Sequence, residues 1–327
     1  MTTTDAMQHV TTGSETTSFV SRGIGFYFQC AVVVIGIVGT AANALILYAM
    51  VVSKQHKKHV LIVNINALDL VSCVALVITY AVKLCNIRLT GTFGYWLCTT
   101  ILSEAFVWWG SIGSRIGLAI ITVDRYLKVV HSAWSKKNLR TWMIYLAMAF
   151  SWISGLIYSF SLAFTTTAVI NGVCYIAVIW KTQVAKMVHN IWSLTSFYVV
   201  IILIIVVCYW RILVVIRHQA SVMASHGSST AHTHQSHQIQ SNVIKTMILV
   251  SAFFAVTHLP ANVYYLLLNI SANATLHEGV YYATVFVLFL YGCTNPFIYA
   301  VKFDPVKRSL LGLIPCKKTS VEPPSQT

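Results

Sequence analysis

Seven apolar segments, at residues 24–52, 60–84, 95–129, 139–164, 189–216, 243–270 and 279–301, take up most of this 327-residue chain. Each is long enough to cross a hydrocarbon layer about 30 Å thick, which needs roughly 20 apolar residues at about 1.5 Å rise each. In lipid no water satisfies the backbone, so such segments are predicted to be helices that bond their own peptide groups. Hydrophobic residues make up 57% of the chain and charged residues only 9%, against about 25% charged in soluble domains. The expected fold class is an all-α membrane protein. It has a seven-transmembrane helix bundle at 24–301, an extracellular tail at 1–23, and a cytoplasmic amphipathic helix and C-terminal tail at 302–327. The Thr/Ser-rich tail has no apolar core and is expected to be disordered, and the first helix to act as its own uncleaved signal.

The net charge of +14 suggests nucleic acid until its placement is considered. Lys54, Lys57, Lys58, Arg125, Lys128, Lys136, Lys137, Arg140, Arg211, Arg217, Lys245, Lys302, Lys307, Arg308, Lys317 and Lys318 fall on one side of the predicted bundle. Arg22, Lys83, Arg88, Lys181 and Lys186 fall on the other, and Arg115 lies within a span. A ratio of 16 to 5 puts the C-terminus in the cytoplasm and the N-terminus outside, by the excess of cations on cytoplasmic loops. Attraction to anionic lipid then accounts for the basic loops better than nucleic-acid binding. The same topology places the glycosylation sequons at Asn269 and Asn273 outside, and Cys316, beside Lys317 and Lys318, inside as a candidate for palmitoylation.

Of eight cysteines, most sit in apolar spans as small core residues. Cys98 and Cys174 fall on the outer, oxidising side, where a disulfide is expected, with Cys85 as a competing partner. Asn171-Gly172 is a type I′ turn signal between β-branched and aromatic residues and predicts a short hairpin in the second outer loop. Asp304-Pro305 starts a short helix with Val306, Leu310, Leu311 and Leu313 on its apolar face. Between the fifth and sixth spans, His218, His226, His232, His234 and His237 make a metal site conceivable, but nothing fixes a coordination geometry and a flexible polar loop is the plainer reading.

Ionisable groups within a span are expensive and point to function. Asp69 is the clearest, with Asn43, Ser114 and Asn295 able to share a polar cluster that either holds a sodium ion or locks the bundle. Asp124-Arg125-Tyr126 closes the third span at its inner end, and Asn295-Pro296-Phe297-Ile298-Tyr299 closes the seventh, with Pro296 allowing a kink. Phe254, His258 and Pro260 mark a second weakened point in the sixth span.

Seven spans, Asn43, Asp69, the Cys98/Cys174 pair, Asp124-Arg125-Tyr126, Trp152, Tyr209, Phe254 with Pro260, and the 295–299 motif together resemble the rhodopsin-like (class A) G-protein-coupled receptors over residues 24–316. The resemblance implies a receptor in the plasma membrane. At rest Arg125 would be held by Asp124. On activation it would turn toward Tyr209 and Tyr299 as the sixth helix swings outward about Pro260. A heterotrimeric G protein would then dock, with arrestin and receptor kinases as further partners. It also implies an allosteric sodium ion at Asp69, Asn43, Ser114 and Asn295, and no other cofactor.

Four positions depart from the pattern. His258 replaces a tryptophan, and Ile201 replaces a proline when the fifth span is aligned on Tyr209. Arg115 stands where an apolar residue is usual. Cys98 precedes Arg125 by 27 residues, two more than usual, which requires a bulge or a shifted start of the third helix.

For the ligand pocket the candidates are Glu104, Val107, Trp108, Trp109, Phe197, Asn262, Tyr265, Tyr281 and Phe289. Val107 occupies the position where amine receptors carry an acid. Glu104 lies one turn further out and could bind a cationic group, but a solvated helix-end carboxylate is the plainer reading. No lysine falls between Gly279 and Ala300, which excludes a retinal Schiff base there. The aromatic lining and the hairpin lean toward a peptide over a small neutral ligand. A transporter would want repeated halves or several pathway charges, and neither is present. No HExxH, GxSxG or CxxC pattern suggests an enzyme. A ligand-silent or constitutively active receptor of the same fold is the remaining alternative.

Overall fold

The computed structural model describes residues 3–176, 183–226, 231–270 and 277–313. The sequon at Asn273 and Cys316 lie outside the described residues, and Asn269 enters only as helix backbone. In chain order the elements begin with α1 (Thr3–Val52), a 3₁₀ turn (Gln55–Lys57) and α2 (Val60–Leu84). The third span is compound: α3 (Gly91–Trp96), a π-helical turn (Leu97–Leu102) and α4 (Ala105–Val130). Next come α5 (Ser132–Asn138), α6 (Thr141–Thr166), β1 (Ala168–Ile170) and β2 (Val173–Tyr175). The fifth span joins α7 (Gln183–Leu194) through a second π turn (Thr195–Val199) to α8 (Val200–His226). The sequence ends on α9 (Ala231–Ile270), α10 (Glu278–Lys302) and α11 (Asp304–Leu313). Seven helical stretches are long and apolar enough to cross a membrane, from Gly23–Val52 to Glu278–Lys302, so the predicted bundle is present.

Two expectations of irregular structure differ from what is observed. Residues 3–22, read from composition as a tail without structure, carry helical backbone continuous with the first span. The polar connection after the fifth span is helical at 217–226 and again at 231–242. In both places no proline interrupts the chain. A helix already nucleated in a span extends without a second nucleation cost.

Packing is densest around the third span. A Cβ on Gly110 would lie 2.5 Å from the Leu68 carbonyl oxygen, and one on Gly155 would lie 2.8 Å from that of Trp109. Glycines at these points let α4 approach α2 and α6 at backbone distance, the usual device where lipid gives no hydrophobic push between helices. Trp152 Nε1 donates to Asn64 Oδ1 at 2.8 Å and Trp109 Nε1 to the Trp152 carbonyl at 2.9 Å, tying α2, α4 and α6. Apolar side chains form an inner core that includes Leu118, Ile121, Met247, Phe254 and Tyr299. A separate outer core includes Tyr80, Val107, Val285 and Phe289. Tyr48, Leu146, Ile157, Val206, Trp210 and Val256 face outward, as a bundle solvated by lipid requires.

The outer loop folds as its turn residues dictate. Strands β1 and β2 pair antiparallel, Val169 opposite Cys174, around Asn171 at φ 52° and Gly172 at φ 79°. Both central residues are left-handed, the backbone that a type I′ turn needs. Cys98 and Cys174 form the disulfide, while Cys85 is exposed and unbridged. On the inner side Val306 is buried and Leu310 packs on the inner core, so α11 docks by part of the predicted face, whereas Leu311 is exposed.

Candidate functional site

The extra length between Cys98 and Arg125 is absorbed above α4. In the π turn the Ser103 N–H reaches the Cys98 carbonyl at 2.9 Å, and Glu104 then adopts φ 65°. A left-handed non-glycine residue costs about 1–3 kcal/mol, so something must hold it. Glu104 Oε1 accepts from Tyr80 at 2.8 Å and from Lys83 Nζ at 2.5 Å, and the Ile101 carbonyl exposed by the bulge accepts from Thr79 at 3.1 Å. The reading of Glu104 as a solvated helix-end carboxylate is therefore corrected. Its side chain is 14% exposed and its charge is matched by Lys83.

A cavity of about 280 Å³ is lined by residues from α4, α6, α7, α9 and α10. Of the pocket candidates, Trp108, Asn262 and Tyr265 line it. Val107 is wholly buried in the outer core. Phe289 packs on Trp108 and Tyr80, and Tyr281 on Tyr264. Trp109 points to α6, and Phe197 lies beneath the Arg115 guanidinium, 5.8 Å from its Cζ. Cavity residues that the sequence did not single out are Tyr158, His189, Asn190 and Ser193. Their only signal was polarity at the outer ends of apolar helices.

Arg115 and His258 both line this cavity. Arg115 is 8% exposed, and its Nε donates to the Ser111 carbonyl at 3.3 Å. No carboxylate lies within ion-pair reach of it among the described residues. A charge at this depth costs roughly 3 kcal/mol even on the mild insertion scale. His258 sits between Phe254 (ring centroids 4.5 Å) and Tyr291 (5.2 Å), with Nδ1 3.1 Å from the Phe254 carbonyl.

One layer inward, Asn295 Nδ2 donates to Asp69 Oδ2 at 2.9 Å, and Asn43 Nδ2 to the carbonyls of Gly39 (2.9 Å) and Gly292 (3.1 Å). Asp69 Oδ1, Asn43 Oδ1, Asn295 Oδ1 and the hydroxyls of Ser114 and Tyr291 are buried without hydrogen-bond partners. The carboxylate Oδ1 and the four other oxygens are the hard donors that a sodium ion prefers. The sequence-derived cluster is thus assembled from α1, α2, α4 and α10.

At the inner end Arg125 Nε lies 3.9 Å from Asp124 Oδ2, whereas Lys128 Nζ reaches Asp124 Oδ1 at 2.8 Å. The expectation that Asp124 holds Arg125 is thereby modified: Lys128, one turn on, is the nearer partner. Tyr126 turns away to His131 at 3.1 Å. Tyr209 hydroxyl lies 3.4 Å from Thr122, while Tyr299 is buried with its hydroxyl unpartnered. Pro260 and Pro296 stand inside continuous helices. Near Pro260, Tyr198 donates to the Ala255 carbonyl at 3.0 Å and Thr257 to that of Phe253 at 2.8 Å.

The family model for the seven-transmembrane receptors of the rhodopsin family matches residues 42–299. The chain belongs to that family. The receptor is a multi-pass membrane protein and not an enzyme. It is 24% identical to G-protein coupled receptor 15 of Mus musculus over 302 residues, 88% of its own length and 78% of that protein's. It is 23% identical to neuropeptide Y receptor type 2 of Macaca mulatta over 308 residues (88% and 75%). With somatostatin receptor type 5 of Rattus norvegicus it shares 24% over 281 residues (83% and 73%). The receptor keeps the motifs that its sequence displayed, at Asp69, 124–126 and 295–299, while carrying Arg115 and His258 where they meet the outer cavity.

Proposed function

We propose that this receptor carries an extracellular peptide signal across the plasma membrane to a heterotrimeric G protein, with its N-terminus outside and its C-terminus in the cytoplasm. The observation that carries this reading is one column of buried polar and aromatic groups. It runs from Arg115 and His258 through Tyr291, Asp69 and Asn295 to Tyr209 and Tyr299, with half-buried Arg125 beside Asp124 at its inner end. Binding above would bias His258 against Phe254 and Tyr291, and that bias would reach the inner end of α9 because helix segments about Pro260 move as levers. Outward movement of α9 would open the inner end for the G protein, with Arg125 turning toward Tyr209 and Tyr299. Arrestin and receptor kinases would read the same inner face. A sodium ion at Asp69, Asn43, Ser114 and Asn295 would hold the closed arrangement, the five unpartnered oxygens supplying its ligands. The peptide class is supported by the hairpin in the outer loop and by the names of the neuropeptide Y and somatostatin receptors among the relatives.

A second reading, constitutive activity, is favoured by the 3.9 Å separation of Arg125 from Asp124. G-protein activation measured in membranes at equal surface expression decides between them. The proposal expects Arg125→Ala to abolish nucleotide exchange in every condition, with low exchange in the unliganded wild type. High unliganded exchange supports the second reading. Unchanged exchange by Arg125→Ala removes coupling through this residue altogether. His258→Trp, which restores the usual residue, is expected to change the ratio of stimulated to basal exchange.

A further inference from the structure

We propose that the outer cavity is an anion site, in which Arg115 receives a carboxylate and His258 reads a hydrogen-bond donor beside it. This deepens the receptor reading and rests on it only in taking the occupant to be the signalling ligand.

The cavity carries positive charge that no carboxylate among the described residues answers. Arg115 lines it, and neither aspartate nor glutamate is among its lining residues. Two acids of the bundle that could serve as a counter-charge are engaged: Glu104 with Lys83 and Tyr80, and Asp69 with Asn295. Of the five guanidinium N–H groups, the Nε proton goes to the Ser111 carbonyl. The terminal nitrogens make no hydrogen bond or ion pair among the described residues. A planar fork of N–H groups in a cavity of low dielectric matches a carboxylate in bidentate geometry. Phe197 backs the guanidinium face and so holds the fork at its edge.

His258 supplies the second, independent mark. Its Nδ1 lies 3.1 Å from the Phe254 carbonyl, so in the neutral ring the proton is assigned to Nδ1 and the lone pair to Nε2. Nε2 is buried without a partner, and His258 lines the cavity with Arg115. An acceptor next to a cation reads a group that places an N–H or O–H beside its carboxylate. A peptide C-terminus does so with its last amide, whereas a simple organic acid offers the carboxylate alone. Trp108, Ile112 and Leu288 around the rest of the wall provide the apolar contact for a side chain.

The full-length receptor in nanodiscs tests this by its unfolding midpoint with three probes. N-acetyl-phenylalanine has the carboxylate and the N–H, N-acetyl-phenylalanine amide lacks the charge, and 3-phenylpropionate lacks the N–H. At about ten times its Kd, N-acetyl-phenylalanine is expected to raise Tm by about 2–4 °C, and the amide to leave it unmoved. Arg115→Met is expected to abolish the acid shift while its own unliganded Tm stays at or above that of wild type, because an uncompensated buried charge has been removed. Arg88→Gln, at an exposed outer cation, is expected to keep the shift. A smaller shift with 3-phenylpropionate assigns the site to a peptide C-terminus; an equal shift keeps the anion site, assigns it to a free organic acid and removes the role of His258. Equal response to acid and amide, no response to either, a retained response in Arg115→Met, or a lowered unliganded Tm in that variant would each overturn the proposal. Binding here is read without a G protein. A lost acid shift with coupling intact therefore sinks the anion site alone, and lost coupling with the shift intact sinks the coupling alone.

Discussion

His59, at the inner mouth of the bundle just before α2, is packed edge-on against Phe303 at 5.0 Å. Burial, then the charges of Arg125, Lys58 and Lys128, hold its pKa down from 6.5 to about 4. The unfolded chain therefore binds a proton on this residue in a pH range where the folded chain does not. Stability from this residue is fully present above pH 6.5, falls as pH drops toward 4, and is level below that. His59→Gln should flatten that part of the pH dependence, read as the difference in Tm between variant and wild type at pH 7 and pH 4.5. A steeper decline in the variant would contradict this. Asp124 poses a second, smaller question. Lys128, at i+4, holds it at 2.8 Å and so competes with Arg125 at 3.9 Å. A pair of this kind is worth about 0.3–0.5 kcal/mol. Lys128→Gln should return Asp124 to Arg125 and lower basal nucleotide exchange about twofold, with Lys128→Arg close to wild type.

The compound third span shows how much of an element sequence can give. Its length, the 27-residue spacing from Cys98 to Arg125 and the need for a bulge are all readable, because apolar runs and motif spacing are properties of composition and count. Which residue takes the left-handed backbone is not readable. Glu104 does so only because Tyr80 and Lys83 of α2 wait opposite it, and that pairing is tertiary. The hairpin was legible for the opposite reason: Asn171-Gly172 needs no distant partner to favour its turn. The helical stretches at 3–22, 217–226 and 231–242 escaped because polarity reports solvation, not backbone conformation. For the site, the buried polar cluster and the motifs were legible as costly residues in lipid, while the second wall of the cavity, with His189 and Ser193, carries no motif or charge that marks it in the sequence. At the same scale, Gly110 is where α4 touches the α2 backbone. Gly110→Ala should lower stability by about 1–3 kcal/mol through overpacking, seen as a Tm drop of a few degrees. Gly312→Ala, where nothing lies within 4 Å of the added carbon, should leave Tm unchanged or slightly raised. Equal effects at the two positions would show that crowding at α2 is not what the glycine serves.

Across the whole molecule, the outer cavity and the inner mouth are joined by a helix that can move only if its side ties are weak. Of the ties between α9 and its neighbours, two bear on the segment inward of Pro260. The Thr246 hydroxyl, shared with the Asn242 carbonyl, reaches the Lys302 carbonyl of α10 at 2.9 Å near the inner end. The Tyr198 hydroxyl reaches the Ala255 carbonyl at 3.0 Å, about one turn inward of Pro260. Pro260 has no N–H to return to Val256, so bending there leaves the hydrogen bonds on either side intact while changing the distance across both ties. They differ in position along the lever. Outward swing of the inner end breaks the Thr246 tie first, whereas the Tyr198 tie lies near the pivot and stretches little. Interhelical hydrogen bonds in membranes average about 0.6 kcal/mol, which corresponds to roughly a threefold change in a two-state equilibrium. Thr246→Val should therefore raise basal nucleotide exchange about threefold, keep the maximal response, and leave affinity at the outer site changed by no more than the same factor, as linkage requires. Tyr198→Phe should lower Tm with little effect on basal exchange, because its partner moves with it. Measuring exchange and Tm for both variants in the same membranes separates a gate from a brace. Were Tyr198→Phe to activate and Thr246→Val only to destabilise, the pivot would lie inward of Ala255 and Pro260 would not be the hinge.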